Sequence, residues 1–156
     1  MKELMEYRVK MLERLDEAVK EFCAACESFN DPFTKADGDW TVHQIAAHAR
    51  DVDQFVYGMR IRRTMSEENP LFQNFDGNAW MAEHYRSDEP LAKILKELSA
   101  SIQDLHLALT AMPVEGWSRE SSHESMGGGM TLQVWVERSL AHIEEHLQTL
   151  KKSGNP

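Results

Sequence analysis

The chain has 156 residues, of which 42% are hydrophobic, and its 26 acidic side chains outnumber 17 basic ones to give a formal net charge of −9. This balance excludes the basic face that nucleic-acid binding requires, and no stretch reaches the roughly 18 apolar residues of a membrane span. The charged N-terminal segment lacks the apolar core of a signal peptide, and no Pro-, Gly- or Ser-rich linker interrupts the middle of the chain. We therefore expect one cytoplasmic domain, residues 1–156, whose partner is a small molecule rather than nucleic acid or a membrane.

An apolar stripe predicts a first helix from about Lys2 to Glu27. Its members recur at spacings of three and four residues, as one face of a helix requires: Leu12, Leu15, Val19, Phe22, Cys26 and Phe29. Cys23 and Cys26 form a Cys-x-x-Cys motif, but a reactive pair normally sits at a helix N-terminus, where the helix dipole lowers a thiol pKa. Because these cysteines lie late in a helix among acids, we interpret them as packing residues.

A second helix is predicted to begin at Thr41 and to run to about Thr64. The sequence Thr41-Val-His-Gln44 matches a capping box, in which the first and fourth side chains bond to each other's backbone N–H groups. Trp40 can pack against this helix start. The basic residues near the end of the helix suit the negative end of its dipole: Arg60, Arg62 and Arg63.

Two histidines of this helix are expected to face opposite environments. His48 shares one face of the helical wheel with apolar residues and is expected to point inward, toward the protein core: Ile45, Val52, Phe55 and Met59. His43 lies about 140° away around the axis and is expected to meet solvent.

Two further long helices follow, one from near Pro90 to Met112 and one from Thr131 to Gly154. A short extra helix is expected at residues 78–85, and Gly127-Gly-Gly129 is interpreted as a flexible turn. No segment shows sustained strand alternation. The prediction is an all-α fold, a four-helix bundle with a short extra helix between the second and third helices.

The segment His142-Ile-Glu-Glu-His146 is the strongest functional signal. Histidines four positions apart lie one helical turn above each other and can bind one metal ion, although such pairs also occur on solvated helix faces. An inward His48 facing them would provide three neutral nitrogen ligands and leave positions open for water or substrate. His84 and His106 are expected to be mostly structural, with His84 the more plausible of the two as a pocket residue.

Two sharper motif interpretations are not favoured. His142-x-x-Glu145-His146 fits an inverted metalloprotease motif, but such proteases take a further carboxylate ligand from well downstream, and ten residues follow His146. Ferritin-like di-iron sites need Glu-x-x-His pairs, and none of the three histidines has a glutamate at that position.

Two segments resemble the DinB/YfiT-like metalloenzymes: Trp40-Thr-Val-His-Gln-Ile-Ala-Ala-His48 and Ser139-Leu-Ala-His142-Ile-Glu-Glu-His146. The resemblance implies an up-down-down-up bundle, often dimeric, with a metal triad of His48, His142 and His146 that accepts nickel, zinc or manganese. Relatives of this kind include transferases and isomerases that use low-molecular-weight thiols, and hydrolase-like members. The longer segment between the second and third helices departs from the family pattern, so pocket residues are not carried over.

The leading hypothesis is a metal-dependent enzyme with an open three-histidine site, and thiol transfer is its first specific form. A metal-dependent hydrolase and a noncatalytic metal- or small-molecule-binding stress-response protein are the alternatives. Asp51 and Glu145 lie within one turn of a predicted ligand, so each is a candidate acid/base or orienting group or, equally, a solvated charge. The catalytic residues stay open.

Overall fold

The structure is a computed structural model that describes residues 1–154. It is mostly helical, and its elements follow in this order: α1 Lys2–Glu27, β1 Lys35–Asp37, β2 Trp40–Thr41, α2 Val42–Val52, a π-helix Asp53–Tyr57, α3 Gly58–Ser66, β3 Leu71–Phe72, α4 Gly77–His84, α5 Leu91–Thr110, a 3-10 helix Val114–Ser118, β4 Glu120–His123, β5 Gly127–Thr131 and α6 Leu132–Gly154. Four long helical segments, with α2, the π-helix and α3 forming one continuous segment, pack around a shared apolar core. No helix within residues 1–154 is long and apolar enough to cross a membrane.

The helices α1 and α6 run side by side in the same direction. Side-chain hydrogen bonds between them link Tyr7 with Glu137, Arg14 with Glu144 and Lys151 with Glu21, each pair 130 positions apart, and Arg8 with Gln133, which are 125 positions apart. Because the sequence separation of bonded residues stays nearly the same from one end of the pair to the other, the two helices are parallel. In antiparallel helices this separation would shrink steadily along the pair. These exposed bonds fix the register, while the buried stripe of α1, including Leu15 and Phe22, provides most of the apolar contact.

The predicted start of the second helix is confirmed. The Thr41 side chain accepts the Gln44 N–H at 3.1 Å, and the Gln44 side chain accepts the Thr41 N–H at 2.8 Å, which together form the capping box. The short helix expected at residues 78–85 is present as α4, and the end of the first helix at Glu27 agrees with the prediction.

The prediction for the inward face of the second helix is wrong beyond Val52. Phe55 and Met59 are only half-buried, whereas Val56 and Arg60 are buried. The cause is the π-helix, in which the Gly58 N–H bonds to the Asp53 carbonyl five residues back instead of four. This wider turn rotates every later side chain relative to α2.

The purely helical prediction is also wrong, because the structure contains two small sheets. The strands β1 and β2 form an antiparallel hairpin before α2, and in the second sheet β3 pairs in parallel with β4, which pairs antiparallel with β5. Gly127 and Gly129, expected in a flexible turn, belong to β5. These strands of two to five residues are too short to show alternation, and glycine offers no side chain that would mark a face.

Candidate metal centre

The structure brings His48, His142 and His146 together. His48 projects from α2, where the capping box fixes the helix start, and the other two project from adjacent turns of α6. The Nε2 atoms of His142 and His48 are 3.3 Å apart, and those of His146 and His142 are 3.0 Å apart. One nitrogen from each residue lies within 4.8 Å of the others, and all three side chains are half-buried.

These separations match what a shared metal ion requires. Adjacent nitrogen ligands about 2.0–2.1 Å from a metal lie roughly 2.8 to 3.0 Å from each other in an octahedral arrangement and roughly 3.3 to 3.4 Å in a tetrahedral one. Imidazole nitrogen is also a preferred ligand of zinc, nickel and copper. The donor set and its spacing therefore fit a divalent transition-metal ion with three protein ligands, one fewer than the four of a tetrahedral zinc site.

Burial keeps the three imidazoles neutral at physiological pH, which leaves their nitrogen lone pairs free to bind. Burial, with the charge of His146, lowers the pKa of His48 to about 4. Burial, together with His146 and His48, lowers the pKa of His142 to about 3. The pKa of His146 is also lowered by burial, although the charges of Glu145 and Asp37 oppose this shift. A metal would therefore compete with few protons near neutral pH.

Three other residues border the triad. The Trp40 ring meets His48 edge-on at a centroid distance of 5.1 Å, and the Tyr57 ring lies 5.7 Å from that of His142. At the start of α4, Gly77 lies so close that a Cβ added there would be 3.2 Å from Cε1 of His48. The site is thus bounded by the β1–β2 hairpin, the π-helix and the start of α4, as well as by the two helices that bear the histidines.

Asp51 and Glu145 have different environments. Asp51 is buried and accepts hydrogen bonds from Arg50 Nε at 3.0 Å and from Trp80 Nε1 at 3.2 Å. It is therefore a fixed structural anion that ties α4 to α2, and the solvated alternative for it is excluded. Glu145 is exposed and acts on His146 through its charge, so it remains a candidate orienting group.

His84 does not join the triad. Its ring stacks on Trp80 at a centroid distance of 3.7 Å, and its Nδ1 lies 3.1 Å from the Trp80 carbonyl. The residue is exposed. These contacts fit the mostly structural role expected from the sequence.

The expectation that His43 meets solvent is wrong. His43 is only 2% exposed, its Nδ1 lies 2.6 Å from the Tyr85 hydroxyl, and its Nε2 lies 2.7 Å from the Glu89 carbonyl. Since a carbonyl only accepts, Nε2 carries the hydrogen and the tyrosine donates to Nδ1. The helical wheel correctly placed His43 on the side of the helix that faces away from the central core. It could not show that Phe33 and the segment before α5 cover this side of the helix.

Sequence reasoning missed Tyr57, Arg60 and His123. In a regular α-helix Tyr57 would lie about 180° from His48, so no periodicity places it beside the triad. Arg60 was interpreted as a residue that suits the helix dipole, yet it is buried and in contact with His123 of β4. His123 comes from a segment for which no strand was predicted, and the sequence holds no signal for this pairing.

Comparisons with known proteins agree with this architecture. A model of the DinB superfamily matches residues 11–150. Among solved structures, the chain is similar to YfiT from Bacillus subtilis, with a TM-score of 0.83 and 22% sequence identity over 94% of this chain and 85% of that one. YfiT is described as a probable metal-dependent hydrolase with an unusual four-helix bundle topology. A comparison with curated proteins gave no significant match.

Proposed function

The chain belongs to the DinB superfamily, as its two histidine segments indicated, and we propose that it is a metal-dependent hydrolase whose ion is held by His48, His142 and His146. The observation that carries this proposal is the convergence of three neutral imidazoles, with Nε2 separations of 3.0 and 3.3 Å. A bound divalent ion supplies a Lewis acid and lowers the pKa of a water molecule toward neutrality. Nickel, zinc and manganese are the candidate ions.

The residues of the chain supply the rest of the site. Burial keeps the imidazoles deprotonated, and the packing of Trp40 and Gly77 against His48 fixes the orientation of that ring. Tyr57, whose ring lies 5.7 Å from that of His142, is the residue that we propose to donate or accept one hydrogen bond to a substrate, because a phenol hydroxyl can do both. The exposed Glu145 is placed to influence the charge balance at His146.

Hydrolysis is preferred to thiol transfer because YfiT is described as a probable metal-dependent hydrolase, whereas the comparisons give thiol transfer no support. The protein's own cysteines do not provide a substitute nucleophile: burial raises the pKa of Cys26 to about 12 and also raises that of Cys23, so both stay protonated. Activity that requires an added low-molecular-weight thiol would instead favour the transferase hypothesis.

Metal analysis of protein purified without a histidine tag tests the first half of the proposal. We expect close to one transition-metal ion per chain in the wild type and in a His84→Ala control, and loss of the ion in His146→Ala. The control removes an exposed histidine that lies outside the triad. Metal-replete expression that yields a metal-free wild type would contradict the assignment.

Measurements of turnover test the second half of the proposal, the hydrolase activity. Wild-type protein loaded with zinc, nickel or manganese is assayed against ester, amide and phosphoester panels, with and without an added thiol. Metal-dependent, thiol-independent hydrolysis that is lost in His146→Ala is the expected result. One bound metal ion per chain, with no turnover in the presence or absence of the thiol, would favour the hypothesis of a noncatalytic binding protein.

The remaining partners are part of the same proposal. We propose a small-molecule substrate and a homodimer in the cytoplasm, in keeping with the family resemblance. Sedimentation velocity of the purified chain, with and without metal, tests the dimer.

A further inference from the structure

Arg60 is a buried cation whose surroundings do not balance its charge. Only 5% of the residue is exposed, and its guanidinium lies 4.8 Å from the centre of the Trp135 ring. Its Nη2 donates to the Gln73 carbonyl at 2.9 Å, but its Nε has no partner. Within residues 1–154 no carboxylate lies within ion-pair distance of it, and burial lowers its pKa. An unbalanced buried charge is costly unless an anion or an acceptor joins it.

The nearest polar neighbour, His123, is a donor rather than an acceptor toward Arg60. Its Nδ1 accepts the backbone N–H groups of Ser125 at 3.1 Å and Met126 at 3.2 Å. The neutral ring must then carry its hydrogen on Nε2, which is the atom 3.4 Å from Arg60 Nη2. Two donors therefore face each other at that contact, and it is not a hydrogen bond. His123 is 5% exposed, so its Nε2–H is also in need of an acceptor.

A second cation reinforces this imbalance. Arg138 is exposed on α6, three residues after Trp135, whose ring lies 4.8 Å from the Arg60 guanidinium and 6.4 Å from the His123 ring. After the larger effect of burial, the charge of Arg138 contributes to lowering the pKa of both Arg60 and His123. Glu124 acts in the opposite direction on His123, but it forms no ion pair with Arg60, and its single negative charge stands against the two positive charges of Arg60 and Arg138. The balance of charge around Arg60 and His123 is positive.

This cluster lies beside the metal centre. Arg138 precedes His142 by one turn of α6, a rise of about 6 Å. Tyr57 links the two sites, because its ring lies 5.7 Å from that of His142 and it precedes Arg60 by three residues in the same continuous helical segment. The five residues 73–77 reach from the Arg60 contact at Gln73 to the His48 contact at Gly77, and a chain of that length spans at most about 14 Å between its ends.

We propose that Arg60, His123 and Arg138 form an oxyanion-binding subsite that receives a phosphate or carboxylate group of the substrate. Arginine is well suited to this task because its planar N–H groups match the geometry of an oxyanion. The uncharged His123 ring would add an N–H donor from another side. The subsite lies within the reach of a small molecule whose other end is at the triad. The substrate class is then a small anionic compound, an inference that rests on the proposed function.

Isothermal titration calorimetry with inorganic phosphate tests whether the subsite binds an oxyanion. Both the wild type and His146→Ala are titrated, since the latter lacks the proposed metal and phosphate can also bind metal. We expect saturable binding to both, weakened about tenfold or more by Arg60→Met, as expected when a charge-assisted hydrogen bond is lost. Acetate in a parallel titration distinguishes a preference for carboxylate from one for phosphate.

Two matched variants separate recognition from folding. Arg63→Met removes an arginine of the same helix that also contacts the Phe72 ring, and it is expected to leave phosphate binding unchanged. His123→Asn offers an oxygen to accept the Ser125 and Met126 N–H groups but deletes the Nε2–H, so it is expected to weaken binding like Arg60→Met. Absence of binding in the wild type, or binding unaffected by both Arg60→Met and His123→Asn, would overturn the subsite.

Turnover connects the subsite to the metal centre. Arg60→Met is expected to raise KM for anionic substrates about tenfold or more, and to lower kcat/KM for them at least tenfold more than for uncharged analogues. Equal losses for both substrate types would overturn its role in substrate recognition. Failure of the proposed function would appear separately, as metal-free protein that still binds phosphate in an Arg60-dependent manner.

Discussion

The charge state of His48 and His142 decides when the site can bind a metal. Burial lowers the pKa of both rings far below that of a free imidazole, to about 4 and about 3. Their lone pairs therefore stay available at pH values where an exposed histidine pair would be protonated. A partly buried triad is thus a better ligand set in mild acid than the sequence motif alone would suggest.

The same burial makes the metal-free protein sensitive to acid. In the unfolded chain a histidine binds its proton with a pKa near 6.5, whereas folded His142 does so only near 3. Between these values the unfolded state holds more protons, so the free energy of unfolding falls as pH drops below about 6.5. Urea unfolding of chelator-treated protein between about pH 7 and pH 5 measures this dependence. We expect His142→Gln to reduce the pH dependence of the free energy of unfolding, and the exposed-site control His84→Gln to leave that dependence unchanged. The same pH dependence in His142→Gln as in the wild type would contradict the explanation.

Gly77 is expected to control metal affinity without touching the metal. A Cβ at this position would lie 3.2 Å from Cε1 of His48, so Gly77→Ala must displace the ring by a few tenths of an ångström. Small shifts of a ligand's supporting groups cost about tenfold to 100-fold in metal affinity. Competition with a chromophoric chelator measures the zinc Kd. Gly128→Ala is the control, because its Cβ would make an ordinary 3.6 Å contact with Ser122, and equal affinity in both variants would argue against this role.

At the scale of elements, the π-helix Asp53–Tyr57 links the two candidate sites. It lies between α2, which bears His48, and α3, which bears Arg60. Its wide turn brings Tyr57 toward His142, a position that a continuous α-helix would not give it. Such single π turns are frequent at functional sites.

Gly58 is the residue that permits this turn. A Cβ there would overlap the Asp53 carbonyl oxygen and come within 2.8 Å of the Asp53 carboxylate, so Gly58→Ala must open or shift the π turn. We expect a loss of about 1–3 kcal/mol in the free energy of unfolding, as for other overpacked buried sites. Urea unfolding measures it, with Gly128→Ala as the exposed control. A variant as stable as wild type, with an unchanged Tyr57 environment by fluorescence or NMR, would show that the turn tolerates a side chain.

At the scale of the whole molecule, the metal would join distant parts of the chain. His48 and His142 are 94 positions apart, and an ion bound by both would cross-link two helices of the folded state. A ligand that binds only the folded protein stabilises it by mass action. The bundle does not depend on the ion to fold, because its apolar core is extensive without it.

Metal is therefore expected to raise the melting temperature. At zinc concentrations about 100 times the Kd, the folded state gains about 2.7 kcal/mol, which corresponds to roughly 5–10 °C for a domain of this size. Differential scanning calorimetry measures the shift. His146→Ala should show little of it, and a similar shift in that variant would place zinc binding elsewhere on the protein.

The local features of the chain could be predicted from the sequence because they depend on short-range periodicity. The Lys2–Glu27 helix, the Thr41–Gln44 capping box and the pairing of His142 with His146 on adjacent turns follow from hydrogen bonds and spacings of three to five residues. His48 was predicted to point inward on the same basis, and α2 is regular up to that point. An inward His48 that faces the pair completes a set of three nitrogen ligands, and the family resemblance implied the same triad.

Only the tertiary structure decided the features that depend on contacts between distant residues. His43, which was expected to be exposed, is covered by Phe33 from the preceding loop and by Tyr85 and Glu89, which lie more than 40 residues later. The pairing of β3 with β4 likewise joins strands some 50 residues apart. Arg60 and His123 meet because a π turn rotates one and a short strand positions the other. The sequence by itself therefore indicated the three converging histidines, the helices that bear them and the acidic character of the chain. The tertiary structure decided which polar groups surround them, because burial and pairing arise only when separate segments pack together.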